Sequence, residues 1–135
     1  MIAAVCAWHE HHARAAEEIE RRLSRGEEMI VAAPALVEAY AVLTRLPPPH
    51  RLSSVDALTL LEGNFMGGPK IVALNGQAYR TLLRQASGDG ITGGRTYDAV
   101  IAACAFRAKA TALLTFNERH FRSFAERGLE IFVPR

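Results

Sequence analysis

Apolar and polar positions along this chain switch repeatedly between helical and strand spacing. Over about residues 4–23, Ala13, Ala16, Ile19 and Leu23 recur near helical spacing, while Arg14, Glu17, Glu18, Arg21 and Arg22 form an opposite, solvated face. This predicts an amphipathic helix with i,i+4 pairs Glu17–Arg21 and Glu18–Arg22, closed by Gly26. Residues 29–33 are a short apolar run suited to a buried strand, and Pro34 then opens a second helix to about Leu46. Pro47-Pro48-Pro49 stops it, because successive prolines supply no N–H to a helical ladder.

Ser53 or Ser54 caps a predicted third helix to about Glu62, a turn follows at Gly67-Gly68-Pro69, and residues 71–74 read as a second strand. Asn75 caps the next helix, and a loop over residues 87–95 holds four glycines. The stretch from Gly93 to Phe121 is then a glycine loop, a helix that is apolar almost all round, a short strand and a polar turn. In it Thr96 is the expected cap of a helix to about Lys109, residues 112–115 the strand, 118–124 a short helix, and 130–133 a final edge strand. No repeat, linker or low-complexity segment interrupts the alternation. The expectation is a single domain over residues 1–135, α/β in class, with a mainly parallel central sheet flanked by helices.

Composition narrows the function classes. Half of the 135 residues are hydrophobic and 22% are charged, enough for a sizeable core and too little charge for a disordered chain. The net charge of +2 permits nucleic acid as a partner without arguing for it. Only Lys70 and Lys109 are lysines, and the arginine preference suits bidentate phosphate contact as well as GC-rich coding. Cys6 and Cys104 both stand among apolar neighbours, as buried reduced thiols of a cytoplasmic protein would. The apolar start is too short for a bilayer and lacks a basic leader, so a soluble intracellular protein is expected.

Few polar residues resist explanation as surface. Glu38 lies in ALVEAYAVL, with no cation at helical spacing, and ionised carboxylates are rarely buried unless paired or bound to metal. Facing water or a distant arginine is its alternative. Asp98 sits in the first turn of the apolar helix, where the macrodipole favours an acid and Arg95 could pair with it; a site acid is the other reading. Asn117 and Thr115 follow the strand, at the end where open sheets build their sites, although Asn there also caps helices. His9-Glu10-His11-His12 is not HExxH, His120 reads as part of a solvated turn, and no zinc spacing, GxSxG or Walker loop occurs. Nucleophilic catalysis is therefore poorly supported, and a doubly wound phospho-acceptor or small-molecule domain lacks a phosphate loop and a strand-end acceptor Asp.

Three segments together form a recognisable pattern: Glu38 in a helix after a strand, GGRTYD before an Ala-rich helix, and LLTFNERHF near the end. The chain resembles the PIN-domain ribonucleases, most closely VapC-type toxins of toxin–antitoxin pairs, over nearly its whole length. The resemblance implies a three-layer PIN-like fold and a metal-dependent endoribonuclease. Glu38 matches the family's second acid, Asp98 its third and Asn117 its fourth position, with Thr115 the neighbouring hydroxyl. It also implies Mg²⁺ or Mn²⁺ held by Asp98 and Glu38, an RNA substrate, a cognate antitoxin and a homodimer. One departure is that the family's first strand ends in Asp, whereas no Asp precedes Asp56 here. The first strand and ligand are thus expected to be missing, with Ile2 to Val5 in the strand's place. The alternative that follows is a catalytically impaired PIN-like binding module.

Overall fold

The computed structural model describes residues 1–135. The chain divides into two compact units, Met1–Ile71 and Val72–Arg135.

The first unit begins with two helices, α1 (Ile2–Val5) and α2 (His12–Ser24), where the periodicity predicts one. Residues 2–5 are therefore helical, not a strand: the N–H of Cys6 closes a helical bond to the Ile2 carbonyl at 3.0 Å. Cys6 itself is extended (φ −105°, ψ 101°), which breaks the helix. Successive turns then bond the His9 N–H to the Cys6 carbonyl and the His12 N–H to the His9 carbonyl, while His9 Nδ1 accepts the His11 N–H at 3.1 Å. An imidazole thus satisfies a backbone donor that a continuous helix would use. On α2, Glu18 takes both expected cations: Arg21 donates from Nε at 2.8 Å and Arg22 from Nε at 2.6 Å. The Glu17–Arg21 pair is replaced because the planar guanidinium makes a two-pronged contact with Glu18.

β1 (Ile30–Ala32) leads directly into α3 (Ala33–Arg45), where Pro34 stands in the first turn as its missing N–H allows. α4 (Ser54–Leu61) starts under Ser53, whose Oγ accepts the Asp56 N–H at 3.1 Å, and runs on into a π-helical turn, Glu62–Met66. β2 (Lys70–Val72), whose last residue opens the second unit, pairs with β1. Leu43 and Ala57, both fully buried, centre a core with Cys6, Val31, Ala39, Leu61 and Phe65. This is the apolar face of α3 and α4 closing over β1.

In the second unit, α5 (Gly76–Gly88) is capped as its sequence predicts, with Asn75 Oδ1 accepting the Ala78 N–H at 2.9 Å. α6 (Arg95–Arg107) begins one residue before Thr96, so Gly94 and not Thr96 occupies the cap position. β3 (Ala112–Leu114) and β4 (Glu130–Phe132) are parallel, with Leu113 opposite Ile131, and α7 (Glu118–Ala125) makes the crossover. Parallel neighbours need such a crossover, since no tight turn can reverse direction twice. Ala102 and Leu129, almost without exposure, centre a second core with Ala99, Leu113, Phe121 and Phe124. No helix is long and apolar enough to cross a membrane.

Candidate functional site

In the second unit the polar candidates gather where β3 ends and two helices begin. The ladder continues one residue past β3, as the Thr115 N–H donates to the Phe132 carbonyl at 3.0 Å. Thr115 Oγ1 then accepts the Asn117 N–H at 3.0 Å, which turns the chain out of the sheet. Asn117 is the residue before α7, yet its side chain makes no cap bond. The capping role expected for it is therefore not performed, and its amide is left exposed beside the strand end. The His120 N–H donates to the Asn117 carbonyl at 2.9 Å, so the first turn of α7 is tied to this residue through its backbone.

Asp98 arrives from the other side. Gly93, at φ +58°, lets the loop enter the left-handed region that β-carbon-bearing residues resist, and α6 starts two residues later. Asp98 is in the first turn of α6, where unpaired N–H groups favour a negative charge. Its side chain is mostly buried, and its Oδ2 lies 3.1 Å from His120 Nδ1. A carboxylate only accepts, so Nδ1–H is the donor in this contact. Arg95, the local candidate, is not Asp98's partner; a histidine 22 residues away is. Tyr97, next to Asp98, is among the most exposed aromatic residues of the chain.

Sequence reasoning missed His120, placing it in a solvated turn. The signals were its place in the LLTFNERHF pattern that carries the family resemblance and its position three residues after Asn117, on the first turn of a helix. Nothing in that spacing points across to Asp98.

Glu38 belongs to the first unit, on α3, and is exposed between the exposed Val37 and the buried Ala39. The apolar stripe of α3 turns Ala39 and Leu43 inward and leaves Val37, Glu38 and Tyr40 outward, so Glu38 is reachable from solvent. A cation is also within electrostatic reach: burial lowers the pKa of the Met1 ammonium, and the charge of Glu38 opposes that shift.

No three His, Cys, Asp or Glu side chains converge on one point that could hold an ion. A closed cage of protein ligands is thus not present. A hard divalent ion of the magnesium type does not demand one, since it keeps several waters and is commonly held by one or two carboxylates together with substrate phosphate. Asp98 fits that requirement: His120 occupies Oδ2, which fixes the carboxylate and leaves Oδ1. The oxygens of Thr115 and Asn117 add neutral hard donors at the same strand end.

A carboxylate at a helix start, beside the carboxyl end of a parallel strand pair, is the kind of crevice in which open α/β domains place their chemistry. The particular family follows from comparison: residues 1–127 match the PIN domain, and the chain belongs to that family, a three-layer α/β fold. Among curated relatives, "Ribonuclease VapC40" of Mycobacterium tuberculosis, in two strains, is 37% identical over 133 residues, covering 97% of this chain and 91% of the relative. "Ribonuclease VapC27" of the same species is 32% identical over 131 residues, covering 97% of this chain and 82% of that protein. The α/β class and the resemblance to VapC-type proteins both hold. PIN-domain ribonucleases are in general dependent on divalent metal.

Proposed function

We propose that this chain is an endoribonuclease, the toxin of a type II toxin–antitoxin pair, and that Asp98 is the centre of its catalytic site. The single observation that supports the site is the Asp98–His120 contact at the carboxyl end of β3, in a chain matched to the PIN domain over residues 1–127. Mg²⁺ or Mn²⁺ is the proposed cofactor, with Asp98 as its carboxylate ligand in the second unit, and Glu38 is proposed as a site acid on the family resemblance alone. When bound, such an ion offsets charge developing on a phosphodiester and makes water a better nucleophile at neutral pH. The chain's own residues have separate tasks. His120 holds the Asp98 carboxylate in one orientation, Thr115 fixes the strand end by accepting the Asn117 N–H, and the Asn117 amide is available to a phosphate or a water. Residues 1–135 are proposed to work as one PIN-like domain, in line with a family match that runs from 1 to 127.

The relatives' ribonuclease names favour an enzyme over a binding module lacking catalysis. By the same relationship, an antitoxin is the proposed protein partner, and a homodimer the proposed assembly. The exposed apolar residues Val37 and Tyr40 of α3 and Val55 and Leu58 of α4 provide surface for such contacts. The test is to incubate the protein with structured RNAs and Mg²⁺ or Mn²⁺, alongside Asp98→Asn. Cleavage by the native chain and its loss in the variant are expected. Equal cleavage by both would remove Asp98 from the site.

A further inference from the structure

Trp8 is 45% exposed and is not among the residues that pack on the first unit's core. An indole so placed leaves much apolar surface in water, yet its position is tightly held. Its ring stacks on His50 with centroids 4.3 Å apart and planes 28° from parallel, and the His9 ring tilts against it at 5.9 Å. The loop bearing Trp8 is pinned by the His9 N–H to Cys6 carbonyl bond, and by a 2.9 Å contact between His12 Nδ1 and the Ala3 carbonyl. The loop bearing His50 is pinned separately, through the His50 N–H to Pro47 carbonyl bond at 3.0 Å and Arg51 Nε to the Leu46 carbonyl at 2.8 Å. Two hydrogen-bonded loops thus bring the indole and the His50 ring into a stack that leaves the indole partly exposed.

The surroundings favour one ligand chemistry. The His9 ring meets the His11 ring at 5.4 Å, and Arg14 contacts His11 Nδ1. The nearby carboxylate, Glu10, sits 3.6 Å from His11 Nε2. An exposed indole flanked by imidazoles, with an arginine beyond them, complements a base attached to a phosphate backbone. Single-stranded nucleic acid is held in this way, by aromatic faces that take bases and cations that follow the backbone. Unpaired bases are the part of an RNA that such rings can reach.

We propose that the stacked Trp8–His50 pair is a base-stacking platform for an unpaired nucleobase of the RNA substrate. The inference rests on the ribonuclease reading. Trp8 is the chain's one tryptophan, so its fluorescence reports the platform directly. The experiment titrates the full chain with a short unstructured RNA in EDTA, which prevents metal-dependent cleavage, and in parallel with the same sequence as a duplex. Quenching by the unpaired RNA and not by the duplex is expected. In cleavage assays with metal, Trp8→Leu should raise KM about tenfold, the scale of one lost base stack, with kcat unchanged and Trp8→Phe close to native. Unchanged Trp8 emission at saturating RNA overturns the platform, as does emission that responds only to a protein partner. If the chain nevertheless cuts RNA, the ribonuclease reading survives that failure; absence of any cleavage, with quenching intact, would instead refute the enzyme and leave the binding surface.

Discussion

His120 Nδ1 stands 3.1 Å from Asp98 Oδ2, joining the first turn of α7 to the first turn of α6. The contact converts a helix-end acid, otherwise explained by the macrodipole, into a carboxylate with a fixed orientation. Groups that hydrogen-bond to metal-binding side chains set the direction of their lone pairs, and removing them generally costs about 10–100-fold in metal affinity or activity. His120→Phe is expected to weaken Mn²⁺ binding and RNA cleavage by about that factor. His120→Asn, which keeps a donor near the Nδ1 position, should recover much of both. Titration calorimetry with Mn²⁺ and single-turnover cleavage check this; equal effects of the two substitutions would reduce His120 to a packing residue.

Glu18 sets one acid limit on stability. Hydrogen bonding from Arg21, with further help from Arg22, lowers its carboxyl to about 2 from an ordinary 4.5. A carboxyl depressed in the folded state stabilises it above the unfolded value, and that contribution is lost as pH falls from about 4.5 towards 2. The pair is near the surface, so screening keeps its worth to about 1 kcal/mol. Glu18→Gln should lower the melting temperature at pH 7 and narrow its gap from the native chain below pH 4.5, as read by calorimetry across that range.

Cys6 and Cys104 are both free and buried, and burial raises the pKa of each thiol. The Met1 ammonium opposes this at Cys6 and Arg107 at Cys104, without reversing it. Because thiolate is the reactive form, both thiols should resist an aromatic disulfide reagent at pH 7 in the native chain and react promptly in denaturant. Stoichiometric labelling of the native protein within minutes would contradict the burial of these side chains.

Each unit has its own fully buried leucine, Leu43 in the first and Leu129 in the second. Leucine-to-alanine changes at such positions cost about 2–5 kcal/mol through lost transfer energy and the cavity left behind. Leu43→Ala and Leu129→Ala should both lower the denaturant midpoint by that order. The exposed Leu83→Ala should change it little, and it is the control for the measurement.

How far the sequence reaches can be seen residue by residue. The cap at Asn75, the stop at the proline run, Pro34 in a first turn and Asp98 at a helix start were all legible, since each depends on backbone chemistry within a few residues. The apolar periodicities that bury Leu43 and Leu113 were legible for the same reason. Three features were not. The first helix breaks at the extended Cys6, and the His9 ring then accepts the His11 N–H in the turns before α2, events that averaged periodicity does not register. Arg21 chooses Glu18 over Glu17, two acids that spacing alone nearly equates. His120 reaches Asp98 and Trp8 reaches His50 because the packing of the helices and loops brings together side chains far apart in the chain. Local propensity and period therefore determined the elements and the acid at the head of α6. Tertiary packing alone decided which partner fixes that acid, because no short-range interaction encodes a contact between the starts of two separate helices.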